Sequence, residues 1–194
     1  LTDASGVAIS QNITVRTYTG HQVNATLGGN QTAGASAFSG TITLNRDARL
    51  TSANADGNAV SFNNTIQGPG GIAKIGSGTV ALNHANSYGG DTVISAGTLR
   101  MGAAGALPSS TSVILANTAG AVLDLNGYNQ TIAVLSGGGG SGGAVNLGNA
   151  VLTVGGGNYS GVISGSGGLS KTGTGMLTLS GANQYSGPTV VNSG

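Results

Sequence analysis

Acid–base, nucleophilic or metal chemistry needs histidine, paired carboxylates or an activated nucleophile, and this chain offers few of them. Its histidines are His21 and His84. Its carboxylates are Asp3, Asp47, Asp56, Asp91 and Asp124, with no Glu and no Cys. No Gly-x-Ser-x-Gly elbow is present, so a serine nucleophile has no strained turn to expose it. His84 falls at an expected turn and reads as solvated. Glycoside hydrolysis needs two carboxylates flanking one bond, and the aspartates are scattered. A lyase needs clustered carboxylates, calcium and a base. Asp47 between Arg46 and Arg49 comes nearest, and it reads as a surface ion pair.

Two glycine-rich runs mimic ligand loops. Gly165 to Thr172 reads GSGGLSKT. A phosphate loop needs Gly directly before its Lys, so that backbone N–H groups close on the anion. Here Ser170 stands before Lys171. Gly137 to Gly143 reads GGGGSGG and lacks the Asp that a calcium-binding repeat requires, so a flexible loop is expected. These readings assign no catalytic, cofactor-binding or metal-binding residue, and no cofactor is expected.

The bases, Arg16, Arg46, Arg49, Lys74, Arg100 and Lys171, nearly balance the acids and form no cluster. Nucleic-acid binding, which rests on neutralising phosphates, is not expected. Glycine accounts for 38 of 194 residues without a strict triplet period, which excludes a collagen helix. Apolar pairs recur throughout, so the chain can bury a core and is not a disordered linker.

Those residues sit on a duplication. GPGGIAKIGSGTVALNHANSYGGDTVISAG (Gly68 to Gly97) returns as GSGGLSKTGTGMLTLSGANQYSGPTVVNSG (Gly165 to Gly194), without a gap, 97 positions later. The residues held in common include Gly68, Gly71, Lys74, Gly76, Gly78, Leu82, Asn86, Tyr88 and Gly90. Their counterparts are Gly165, Gly168, Lys171, Gly173, Gly175, Leu179, Asn183, Tyr185 and Gly187. Self-similarity of this kind signals stacked structural units. Lys74 and Lys171 follow Ile72 and Leu169 by two, so strand alternation points them inward. A buried ammonium is costly. Each lysine is therefore expected at a corner, its stem along the core and its charge on carbonyls or Asn oxygens of a neighbouring coil. Tyr88 and Tyr185 are expected to pack against the next coil.

Strand signals recur every 8 to 12 residues or so, from Ile72–Ile75, Thr79–Leu82, Thr92–Ile94 and Thr98–Met101 to Thr189–Val191. No segment has a helical period. Most breaks are Gly-x-Gly or Ser-Gly, which suit solenoid corners better than hairpins. Leu82, Ile94, Leu99, Leu115, Leu123, Leu125, Leu147, Leu152, Leu177 and Leu179 are the expected core. Residues 1–194 read as one domain. Residues 1–37 are irregular or atypical coils, with a loop or atypical rung over His21 to Ala37, and 62–97 and 159–194 are the duplicated repeats. Leu1 is not a start Met, and the chain reads as an excised piece.

The pattern G-x-G-G-[LI]-x-K-x-G-x-G-x-[LV]-x-L followed by A-N-x-Y-x-G-x-T-V resembles the passenger-associated transport repeat of bacterial autotransporters. The first copy departs with Asn83-His84 where the second has Ser180-Gly181. The resemblance covers Phe38 to Gly194. It implies an all-β, right-handed parallel β-helix (β-solenoid), exported through the periplasm and a C-terminal outer-membrane barrel. It also implies a secreted or surface-displayed, non-enzymatic stalk that meets a host or bacterial surface molecule. A released effector acting on a host receptor and a β-helical lyase or protease fragment are the alternatives.

Overall fold

The computed structural model describes residues 6–17, 25–30, 32, 34–54 and 59–194. His21, Asp3 and Asp56 lie outside them. Alternating β-branched and apolar residues form short strands, and glycine or asparagine turns the chain between them. The strands stack in three parallel ladders. One runs Ala8–Ile9, Ser36–Phe38, Ala59–Phe62, Thr79–Leu82, Thr98–Met101, Val122–Asp124, Ala144–Asn146, Ile163–Gly165 and Gln184–Tyr185. A second runs Ala25–Gly29, Ala48–Ser52, Ile72–Ile75, Thr92–Ile94, Ser112–Leu115, Gln130–Gly137, Val151–Tyr159, Gly168–Lys171 and Thr189–Val191, with Leu177–Leu179 also paired to Val151–Tyr159. The shortest joins Ile13–Val15, Ile42–Leu44, Ile66–Gly68 and Ser87–Tyr88. This is a parallel β-solenoid. A step from strand to stacked strand takes from 17 residues (Leu152 to Leu169) to 29 (Ala8 to Ala37).

Stacking places like on like. Val60, Val80, Leu99, Leu123, Val145 and Ile163 form one aliphatic column through successive turns. Each is at most 1% exposed. Full burial of such a side chain is worth about 1.5–3 kcal/mol, so one column contributes a large part of the driving force. Leu82, Ile94, Leu99, Leu115, Leu123, Leu125, Leu147 and Leu152 are all buried, as alternation requires. Leu177 and Leu179 are only partly buried. They belong to the final turn, which has a stacked neighbour on one side.

Several details differ from the expectations. Over His21 to Ala37, the described residues include strands at Ala25–Gly29 and at Ser36–Phe38, and Phe38 stacks on Phe62 with ring centroids 4.8 Å apart. Gln130–Gly137 and Val151–Tyr159 run on into glycines. Gly137 and Gly157 have φ of 88° and 131°, and a Cβ on either would strike the carbonyl of Leu115 or Leu135 in the turn below. The run Gly137 to Gly143 is a closed return in which Gly139 and Gly142 exchange backbone bonds of 2.9 and 3.3 Å. The Asn117 side chain accepts from Ser141 N–H at 2.9 Å and pins it. Asp47 forms no ion pair among the described residues; its carboxylate accepts the Gly71 N–H of the next turn at 2.7 Å. The ion pair among the described residues is Arg100 to Asp124 at 3.1 Å, between register partners on adjacent turns.

Candidate functional site at the repeated lysine corner

Lys74 is third in the strand Ile72–Ile75, and Ile72 and Lys74 both face inward. The chain then turns at Gly76, whose φ is 73°. This folds two carbonyls back over the ammonium: Lys74 Nζ donates to Ile75 O at 2.9 Å and to Gly76 O at 2.7 Å. The third acceptor, Ala96 O at 2.9 Å, comes from the next turn. All three ammonium protons thus have acceptors, which is what lets a charged group be fully buried. The second copy repeats the cage. Lys171 Nζ donates to Thr172 O at 2.8 Å, Gly173 O at 2.9 Å and Ser193 O at 3.1 Å.

Gly97 closes the lid. It follows Ala96 and takes φ of 64°, and a Cβ there would lie 2.5 Å from both Lys74 Nζ and Gly78 O. Gly194 stands over Lys171 in the same way, with a virtual Cβ 2.6 Å from Nζ. The terminal glycine of each copy therefore belongs to the lysine's cage. Its recurrence at the 97-residue offset was the signal in the sequence, but spacing alone does not show that it touches the lysine.

The remaining repeat residues bind turn to turn. Asn86 accepts from Ile66 N–H at 2.7 Å on one side and donates to Ala106 O at 2.7 Å on the other. Asn183 accepts from Ile163 N–H at 3.0 Å. Tyr88 is buried, and its hydroxyl meets Thr92 Oγ1 at 2.7 Å, which in turn lies 3.1 Å from Thr111 Oγ1 of the next turn. Tyr185 meets Thr189 Oγ1 at the same 2.7 Å. The threonines were the missed partners of both tyrosines. Gly68, Gly165 and Gly173 take positive φ at corners. Gly71, Gly78, Gly90, Gly168, Gly175 and Gly187 lie where a neighbouring turn's backbone comes close. Leu82 is buried, and Leu179 is half-buried.

Chemically the site is static. Burial lowers Lys74 to about 8, a value suited to proton transfer, yet the group is enclosed and all its protons are engaged. Burial also raises the Tyr88 phenol above its ordinary range, opposed by the hydrogen bond from Thr92. His84 is exposed, with Nδ1 3.1 Å from Thr65 Oγ1 and 3.0 Å from Ala85 O. Among the described residues no three His, Asp or Glu side chains gather as metal ligands do. The corner holds turns together. A matched test follows: Tyr88→Phe should lower stability by about 1 kcal/mol, because the Thr92 hydroxyl loses a buried partner. Tyr185→Phe should cost less than half of that, since water reaches its hydroxyl. Denaturant midpoints of the two variants check this, and equal losses would contradict the part that burial of the Tyr88–Thr92 bond plays.

The passenger-associated-transport-repeat family model matches residues 72–101 and 169–194, the two stretches that contain these corners. The adhesin BmaC autotransporter of Brucella suis biovar 1 (strain 1330) is 43% identical over 141 residues, covering 70% of this chain. The chain belongs to the autotransporter passengers. The matched part spans 4% of the Brucella adhesin's length, so this passenger chain corresponds to a small part of that relative. No solved structure matches it. In this chain the repeat is a lysine cage and an asparagine bridge that each span two turns, with a tyrosine–threonine pair inside one turn.

Proposed function

We propose that this chain is part of a secreted or surface-displayed, non-enzymatic stalk whose outer faces serve adhesion to host or bacterial surface molecules. The observation that carries the reading is the 43% identity to a protein named as an adhesin autotransporter. Two features support it. The solenoid offers long regular faces suited to extended contacts. The candidate acid–base groups among the described residues are scattered or enclosed, which favours a binding role over a lyase or protease.

The repeats aid export in this reading. Each corner is completed by a carbonyl from the following turn, as Lys74 is by Ala96 and Lys171 by Ser193. A turn emerging from an outer-membrane barrel would complete the cage before it, and the buried apolar column would then oppose back-sliding. The test is to fuse the chain ahead of an autotransporter barrel in a non-adherent bacterium. The chain should reach the surface and raise attachment to host cells, and the double variant Lys74→Met/Lys171→Met should reduce the amount displayed. Full display without added attachment would overturn the adhesive reading. Undiminished display of the double variant would overturn the export role of the cages.

A further inference from the structure

A groove of about 490 Å³ runs along the solenoid axis on one outer face, and no residue lining it carries a formal charge. Four successive turns contribute to it, through Asn86, Ser109, Asn129 with Thr131, and Val151 with Thr153. Backbone and side-chain bonds link the turns in that order. Asn86 donates to Ala106 O, Leu107 N–H donates to Gln130 Oε1, and Val151 N–H donates to Asn129 Oδ1. Thr131 and Thr153 are register partners.

The polar groups of the groove divide into two sets. Asn86 and Gln130 spend both ends of their amides inside the solenoid. Asn129 uses its oxygen on Val151 N–H at 2.8 Å, and its NH2 has no partner among the described residues. The hydroxyls of Ser109, Thr131 and Thr153 have no hydrogen-bond partner among the described residues. Three hydroxyls and one amide donor thus converge on one volume with no internal use. Beside them Val151 is 37% exposed and offers a small apolar contact.

We propose that this groove binds a neutral glycan lying along the solenoid axis. Hydroxyls and an amide NH2 supply both donors and acceptors, which is what sugar hydroxyls need, and Val151 can meet the C–H face of a pyranose ring. Stacked strands repeat every ~4.8 Å, so the polar groups recur at a step comparable with the advance of one sugar unit along an extended chain. The volume falls in the usual range for ligand sites, about 300–1,000 Å³. A peptide strand has no edge to join here, because Gln130–Gly137 and Val151–Tyr159 are each paired on both sides. An anionic polymer finds no cation in the lining. This inference deepens the adhesive reading and rests on it for the presence of the glycan on a cell surface.

The test uses the whole chain and purified sugars. Cellotetraose, maltotetraose and chitotetraose are titrated while backbone amide NMR shifts are followed. At least one should give saturable shifts at Ser109, Asn129, Thr131 and Thr153, unaltered by high salt. Thr131→Val/Thr153→Val keeps β-branched side chains on the strand and should weaken that binding about tenfold with an unchanged melting temperature. Ser109→Ala, on a loop, gives an independent readout that should move the same way. Absence of saturable shifts with all three sugars, or affinity unchanged in both variants, overturns the glycan assignment. Cell attachment that persists in the double variant would leave the adhesive reading intact while removing this groove from it.

Discussion

Gly97→Ala should destabilise the solenoid by about 3–5 kcal/mol. The left-handed backbone conformation costs about 1–2 kcal/mol for a residue bearing a Cβ. Gly97 has φ of 64°, and its added methyl would stand 2.5 Å from Lys74 Nζ and Gly78 O. The methyl would also strike Gly76 O, and neither that carbonyl nor Nζ can retreat without loosening the lysine's hydrogen bonds, each worth about 1.5–3 kcal/mol for a charged donor. Gly120→Ala is the internal control. Gly120 has φ of 82° but nothing within 4 Å of a virtual Cβ, so only the backbone term, about 1–2 kcal/mol, applies there. The difference between the two denaturant midpoints isolates the crowding at the corner. Equal losses would mean that Gly97 serves backbone conformation alone.

Removing the lysine should act on the same cage from inside. Lys74→Met keeps the alkyl stem and leaves the carbonyls of Ile75, Gly76 and Ala96 facing one another without a donor. A loss of about 3 kcal/mol is expected, and about half of that for Lys171→Met. The asymmetry arises because Lys171 is 7% exposed, so water can replace its ammonium, whereas Lys74 is 0% exposed. The pH dependence has a definite sign. Burial lowers Lys74 from 10.5 to about 8. The unfolded chain therefore binds the proton more tightly, and between about 8 and 10.5 it holds more protons than the folded one. Stability from this group rises with pH through that window. Tyr88 and Tyr159 act oppositely, because burial raises both phenols from 10.0 and their contribution is lost as pH rises above that value. Subtracting the Lys74→Met curve removes the tyrosines and leaves the lysine. Wild type should gain on the variant from pH 8 to 10.5. A flat difference would contradict the burial of the charge.

Much of this was legible in the chain because a solenoid is local in its rules. Ile72–Ile75, Thr79–Leu82, Thr92–Ile94 and Thr98–Met101 could be read from alternation, and their spans agree with the structure. The inward side of Lys74 followed from its distance to Ile72, and its corner followed from the cost of burying charge. The strand at Ala48–Ser52 was hidden because Arg46, Asp47 and Arg49 mask a short alternation in which Ala48, Leu50 and Ser52 face inward. Ser87–Tyr88 and Gln184–Tyr185 are two residues long, too short for a period to show. The passage of Gln130–Gly137 and Val151–Tyr159 into glycine was illegible for another reason. Glycine normally breaks a strand, and only the neighbouring turn's carbonyl explains why it is required here. Thr111 was invisible as the partner of Thr92 because that contact crosses between turns of varying length, and Thr92 as the partner of Tyr88 because only the corner formed by the three residues between them brings the two hydroxyls together.

The turn-to-turn stacking itself can be measured without a crystal. Thr26, Arg49, Ala73, Val93, Ile114 and Ser136 are successive register partners along one ladder. The chain has no native cysteine, so pairs of spin labels can be placed cleanly at Ser136 with Ala73, Arg49 or Thr26. Parallel stacking at ~4.8 Å per step sets the backbone separations at about 14, 19 and 24 Å. Pulsed electron-spin distance measurements should give narrow distributions that lengthen by one step per turn. Separations that do not increase linearly with the number of turns, or a broad distribution for Thr26 and Ser136 centred near the ~60 Å of a flexible chain of that length, would contradict the solenoid.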